Sequence, residues 1–280
     1  MKIINFLWKE FIFNGHLQSL GAVGIVYFSF LSLLNTSPSV LLLIIIYILF
    51  ETIYLFDRFR DYFKDIKTNK ERSSHLKNYL GYFPIILASM VIALVLLLLY
   101  VNSVNLIFYC GFILIFGLGY PLYFKKVTKY IFMFKNFYVA LFHAILLLAP
   151  YAYFQISLEV TPQFSLVFIF VYVEALLSQI LLDTKDTSAD KKAGLKTTSA
   201  VFGNDLAINI VLVLSIAIPL VYLLMGIYSR QFLLSLLAGS IFINFGSIYY
   251  IKAKRLKGYL IAASKFFIWL LILLGVNIIV

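Results

Sequence analysis

Residues 164–190 read FSLVFIFVYVEALLSQILLDTKDTSAD, an apolar run that ends abruptly in three carboxylates, Asp183, Asp186 and Asp190. The run, 164–182, is as long as a bilayer-crossing helix, for which about 20 apolar residues suffice. Spaced i, i+3, i+7, the acids line one face if the helix continues past its apolar part. The plan occurs once more: the apolar run 38–56 leads into Asp57, Asp61 and Asp65, spaced i, i+4, i+8. Together the two sets hold six of only 12 acidic residues in a chain that is 63% hydrophobic. Carboxylates bunched at a membrane boundary repel one another and resist desolvation. A cation removes that difficulty, and hard oxygen ligands suit Mg²⁺ bridging phosphate oxygens.

Working outward, the mean hydropathy of +0.99 places the chain among integral membrane proteins. Nine apolar runs qualify as spans: about 17–34, 38–56, 83–101, 105–119, 132–154, 164–182, 206–226, 231–250 and 259–279. Runs three and four are separated only by Asn102-Ser103-Val104-Asn105. Lys and Arg fall on one side of this map. Of the 23, all but Arg230 lie in the N-terminal arm or in the connections after runs two, four, six and eight, counting Lys135 and Lys265 just inside run ends. By the positive-inside rule the N-terminus and the even connections are cytoplasmic and the C-terminus is outside. The expected architecture is an all-α polytopic bundle of about nine transmembrane helices around a central cavity, a single membrane-embedded domain over 1–280. The two longest connections, 57–82 and 183–205, each open with an acidic set followed by basic residues, which suggests two similar halves.

The net charge of +11 then reads as topology and as attraction to anionic lipid or an anionic substrate. No basic module outside the membrane loops points to nucleic acid, and nothing implies an obligate protein partner. The single cysteine, Cys110, excludes an intrachain disulfide. Met1–Gly15, interrupted by Lys9 and Glu10, does not read as a cleavable signal peptide.

The stretch Leu182-Asp183-Thr184-Lys185-Asp186-Thr187-Ser188-Ala189-Asp190-Lys191-Lys192-Ala193-Gly194-Leu195-Lys196-Thr197 resembles the second aspartate motif of the UbiA superfamily of intramembrane prenyltransferases. That motif is D-x-x-D-x-x-x-D, followed by a basic residue, a glycine and a threonine. Asp57–Asp65 resembles the first motif, N-D-x-x-D-x-x-x-D, with departures: Asp57 stands where the family has Asn, and Arg58 where it has the first Asp. Arg58 cannot ligate a cation, whereas a guanidinium suits direct contact with phosphate. Ser188-Ala189 stands where acidic and glycine residues are common. The resemblance spans essentially the whole chain. It implies a magnesium-dependent transfer of an isoprenoid from a prenyl diphosphate to a membrane-associated acceptor.

What the resemblance implies residue by residue is as follows. Asp57, Asp61, Asp65, Asp183, Asp186 and Asp190 are metal ligands, with Asp61 and Asp186 as the catalytic carboxylates. Arg58, Lys125, Lys126, Lys135 and Lys191 are candidates to hold the diphosphate. The pair Lys125-Lys126 lies in Tyr120-Pro121-Leu122-Tyr123-Phe124-Lys125-Lys126, which resembles the family's tyrosine and basic pair after helix four, one residue out of register. His16, Glu51, Tyr120, Asn136 and Gln179 are candidates to line the substrate pocket; the ordinary roles of such residues are interfacial packing for His16 and positive-inside charge for the lysines. Intramembrane polar groups such as Glu51, Glu174, Ser178 and Gln179 face a cavity or a partner rather than lipid.

An allylic diphosphate must be gripped while its C–O bond ionises, and an apolar cavity takes the chain and keeps water from the cation. Against this, a CDP-alcohol phosphotransferase would need an Asp-Gly start to its motif, and no Asp-Gly pair occurs. A transporter would place its carboxylates near the bilayer midplane in broken helices. A non-catalytic or transport-type relative of the same fold is the remaining alternative. The Ile- and Lys-rich composition suggests an AT-rich prokaryotic genome, and the expected location is the prokaryotic inner membrane.

Overall fold

The computed structural model describes residues 2–228 and 238–279; the side chains of 2–5, 64, 65, 67, 68, 228 and 276–279 lie outside that description. In chain order the helices are α1 (Lys2–Phe13), α2 (His16–Leu34), α3 (Val40–Thr68), α4 (Lys70–Leu76), α5 (Phe83–Val101), α6 (Val104–Leu122) and α7 (Phe134–Ile145). They continue as α8 (Ala149–Phe154), α9 (Pro162–Lys192), α10 (Thr198–Phe202), α11 (Asn204–Tyr228), α12 (Ser240–Lys252) and α13 (Lys257–Ile279). The described residues contain no strand. Eight stretches among them are long and apolar enough to cross a membrane. The all-α polytopic expectation therefore holds. The expected span 231–250 falls partly outside the described residues, as does Arg230, and α12 begins at Ser240.

Local chemistry sets the boundaries. The tetrapeptide dividing runs three and four is a cap pair: Asn102 closes α5 with φ 53°, and Ser103 opens α6 by accepting the Leu106 N–H. Asn tolerates the left-handed region better than most residues. Thr161 caps α9 by accepting from Phe164 N–H, with Pro162 at the first helical position, where no N–H is needed. Run five is not one regular helix. α7 gives way to a 3₁₀ turn at Leu146–Leu148 and restarts as α8 with Pro150 in its first turn.

Two helices outrun the membrane. α3 has 29 residues and α9 has 31, the latter about 46 Å at about 1.5 Å per residue. The hydrocarbon core needs only about 30 Å. Each therefore carries its aspartates on an unbroken helical extension of a spanning segment.

The chain divides into two compact units. The first comprises Met1–Tyr123, Leu146–Glu159 and Phe266–Val280. In it α2 and the middle of α13 touch backbone to backbone, since a Cβ on Gly24 would collide with the Phe266 carbonyl oxygen. Small residues at such crossings let helices gain dispersion contacts that lipid cannot supply. Polar groups pair inside this unit. Ser19 Oγ donates to Glu51 Oε2 at 2.7 Å, and His16 Nδ1 lies 3.0 Å from Glu51 Oε1. α1 is fastened to the α4 region through Glu10, whose Oε2 accepts from His75 Nε2 at 2.8 Å and from the Tyr79 hydroxyl at 3.1 Å. Burial, reinforced by the Glu10 carboxylate, pushes the Tyr79 phenol above its ordinary pKa. The surface of α5 and α6 is apolar, with Leu96, Leu99, Phe108 and Ile115 all exposed, as a bilayer-facing surface requires.

The second unit comprises Phe124–Ile145 and Val160–Lys265. α9 is its axis. One face of α9 contributes Leu177, Ile180 and Leu181 to a core completed by Met133, Ala207, Ile208, Val211, Ile248, Ile251 and Ala262. Deeper in the same unit, Glu174 is fully buried against Lys265, with Lys265 Nζ 2.8 Å from Glu174 Oε2 and donating to its backbone oxygen at 3.0 Å. Ser240 Oγ and Asn244 Nδ2 donate to the same carboxylate at 3.2 and 3.1 Å. Thus α9, α12 and α13 share one buried charge pair.

Candidate functional site

The acidic end of α9 is assembled within the second unit. Asp183 and Asp190 are buried, whereas Asp186, between them on the same face, is half-buried. The Lys135 ammonium, from the first turn of α7, lies between the outer two: Nζ is 2.6 Å from Asp183 Oδ1 and 3.1 Å from Asp190 Oδ2. Its neighbour Asn136 donates from Nδ2 to Asp183 Oδ2 at 2.7 Å. Both oxygens of Asp183 are therefore engaged. Asp190 Oδ2 also accepts from Thr197 Oγ1 at 3.3 Å. Among the described residues, none donates a hydrogen bond to Asp186.

The chain after α9 folds back to make this possible. Gly194 takes φ +69°, a left-handed conformation that costs an L residue roughly 1–2 kcal/mol. Leu195 N–H then bonds the Asp190 carbonyl at 2.9 Å. Thr197 caps α10 by accepting from Ala200 N–H while its hydroxyl donates to Asp190. Ser199 Oγ donates to the Asp183 carbonyl at 3.1 Å. Two backbone bonds, Lys196 N–H to Thr128 O at 2.9 Å and Met133 N–H to Lys196 O at 2.8 Å, brace the returning strand of chain against the segment that leads into Lys135. A methyl group at Gly194 would meet open space, so the backbone term acts alone. We expect Gly194→Ala to lower stability by about 1 kcal/mol, read as a fall in the thermal midpoint of the purified protein; an unchanged midpoint would show that the turn relaxes freely.

The other expected site residues are placed as follows. Lys125 and Lys126 sit on a 3₁₀ turn, Phe124–Lys129, the first half-buried and the second exposed. Lys191 is exposed one residue beyond Asp190, and Gln179 is half-buried one turn before Asp183 on α9. In the first unit, Asp57, Arg58 and Asp61 are half-buried on α3, and Asp57 Oδ1 is buried without a hydrogen-bond partner. The side chain of Asp65 lies outside the described residues. His16 and Glu51 are paired with each other, and Tyr120 is half-buried near the end of α6. Among the described residues, no group of three or more His, Cys, Asp or Glu side chains converges as a ready-made metal cage. Magnesium seldom needs one. It commonly takes one or two carboxylates and fills the remainder with substrate phosphate and water. The hard, anionic oxygens at the end of α9, with Asp186 open, fit that mode.

Two features escape a reading of the sequence alone. Ser199 looks like a loop residue until the turn at Gly194 brings it, with the motif's Thr197, onto the aspartates. Lys265 looks like a flanking positive charge but is 1% exposed on Glu174. A lone acid and a lone base within separate apolar runs were the available signal, since unpaired charge in a membrane interior is costly.

A cavity of about 390 Å³ opens between α7 and α9 on the same unit, lined by Phe134, Phe137, Tyr138, Leu141, Phe168, Ile169 and Tyr172. The two helices that hold the polar cluster thus also frame an apolar groove.

Comparison with known proteins gives three findings. The sequence model of the UbiA prenyltransferase family matches residues 82–271, more than half of the chain; the match contains the α9 aspartates and begins after those of α3. A solved structure described as digeranylgeranylglyceryl phosphate synthase in membranes is similar, at 16% identity and a TM-score of 0.55, over 98% of this chain and 95% of that one. No match occurs among curated protein sequences.

Proposed function

The chain belongs to the UbiA prenyltransferase family, and from that premise we propose that it is a magnesium-dependent enzyme moving an isoprenoid chain from a prenyl diphosphate to an aromatic or lipid acceptor in the membrane. The observation that carries this reading is the polar end of α9: three carboxylates on one helical face, two tied to Lys135 and the third, Asp186, open.

Bound magnesium would supply charge neutralisation and leaving-group stabilisation for the departing diphosphate. The chain's own groups do the rest. Asp186 and the unbonded oxygen of Asp190 are the ligands offered at the second motif. Lys135, beside Asp183 Oδ1 and Asp190 Oδ2, is suited to hold phosphate as a point charge; Lys125, Lys126 and Lys191 add positive charge. Asn136 and Thr197 orient Asp183 and Asp190. The aromatic groove between α7 and α9 offers the isoprenoid tail a dry surface whose rings favour a developing allylic cation. On the first motif we assign Asp57, Asp61 and Asp65 to a second metal and Arg58 to direct phosphate contact. The N-terminus and the loops bearing both motifs are assigned to the cytoplasmic side of a prokaryotic inner membrane.

The decisive experiment is lipid extraction and mass spectrometry of the purified protein for a bound isoprenoid. It is followed by an assay with the corresponding prenyl diphosphate, with and without Mg²⁺, against aromatic acceptors and glycerol-phosphate lipids. We expect metal-dependent consumption of the diphosphate with transfer to one acceptor class. Absence of metal-dependent consumption with every chain length and acceptor would overturn the proposal.

A further inference from the structure

We infer that Lys135 is a built-in counter-cation that keeps the second motif closed to a metal arriving alone, so that metal and prenyl diphosphate enter as a coupled pair. The inference rests on the metal-dependent reading above and adds to it an order of binding.

The cluster carries three carboxylates, and one ammonium sits within contact distance of two of them. Lys135 is itself only 9% exposed. Neutral donors already serve the same carboxylates: Asn136 on Asp183 and Thr197 on Asp190. The ammonium is therefore more than a hydrogen-bond donor here, because it is the one positive charge the structure sets between these two buried carboxylates among the described residues. A divalent ion without phosphate meets that ammonium in the place where two of its three ligands point. To gain Asp183 and the bonded oxygen of Asp190 besides Asp186, it must break both buried salt bridges of Lys135, a costly separation. A diphosphate changes the exchange. Its oxygens accept the Lys135 N–H groups with the same charge-assisted geometry, the flexible four-carbon stem lets the ammonium move, and the two aspartates are left free for the metal that accompanies the phosphate. Each ligand thereby raises the affinity of the other, and that coupling must be reciprocal.

The test is direct metal binding in the absence of any diphosphate. Mn²⁺ is used as the probe and free ion is counted by its paramagnetic resonance signal, on full-length protein in nanodiscs. Lys135→Gln is expected to bind Mn²⁺ alone on the order of tenfold more tightly than the unmodified protein. Lys135→Arg, which keeps the charge, is expected to stay as weak as the unmodified protein. Should Lys135→Gln not fold, Lys135→Met, which keeps most of the stem, provides the same reading. With a non-reacting prenyl thiolodiphosphate present, Mn²⁺ affinity should rise in the unmodified protein and much less in the Gln or Met variant. Unchanged or weaker binding of Mn²⁺ alone in those variants overturns the counter-cation role while leaving metal-dependent transfer standing. If the unmodified protein takes up no Mn²⁺ even with the thiolodiphosphate, the metal-dependent reading fails and this inference with it.

Discussion

Asp186→Asn is expected to reduce prenyl transfer on the order of 10²-fold or more at saturating Mg²⁺ while leaving the thermal midpoint within experimental error. Asp186 is half-buried and no described residue donates a hydrogen bond to it, so its substitution strands no described partner; changes at such positions usually shift stability by under about 0.5 kcal/mol. Asp183→Ala should behave differently. It too should cost turnover on that order, but it also deprives Asn136 of an acceptor and leaves Lys135 with Asp190 but without Asp183. Leaving buried donors unsatisfied costs about 1–3 kcal/mol, more where one is charged. Asp57→Ala, at the motif that lacks one ligand through Arg58, should cost less turnover than either. Measuring turnover and unfolding on the same preparations separates the roles. Near-normal turnover in both α9 variants would remove the second motif from the chemistry.

The largest effect on stability is expected at Glu174 and Lys265. Either Glu174→Gln or Lys265→Met leaves one charge in a fully buried position, and breaking a buried pair in this way costs roughly 3–5 kcal/mol. Ser240 and Asn244 soften the loss of Lys265 only slightly, since both are neutral donors to the carboxylate. The double variant removes both charges and should regain most of the stability, the sign of a strongly coupled pair. The check is monodispersity and thermal midpoint in one detergent for the two single variants and the double. Additive losses would mean the two side chains are energetically independent.

Much of the fold was legible in the sequence because a bilayer imposes one dominant variable. Apolar length located the spans, and the Asn102-Ser103 break was readable because both residues have local reasons to end and begin helices. Hydropathy alone stopped short of the ends of α3 and α9, since their last turns are polar yet continue the helix. Run five looked continuous, yet the 3₁₀ turn before Pro150 interrupts it without altering composition. At the candidate site, the one-face spacing of Asp183, Asp186 and Asp190 was readable, whereas Asn136 was expected only as a pocket residue and its bond to Asp183 was not foreseen. The partnership of Lys135 with two of those acids was not, because it depends on a left-handed glycine at 194 and a braced return of the chain. Lys265 was misplaced for a related reason: position near a run end says where a charge enters the membrane, and only packing says which anion it meets.

The backbone contact between Gly24 and Phe266 also bears on how the protein is made. About 240 residues separate the two positions, so at about 5–20 residues per second the ribosome adds the second partner some 10–50 s after the first. During that interval α2 is already in the membrane with its glycine face uncovered. Early insertion therefore leaves a crevice that waits for α13 to close it, and the first unit cannot complete its packing until that helix has been made.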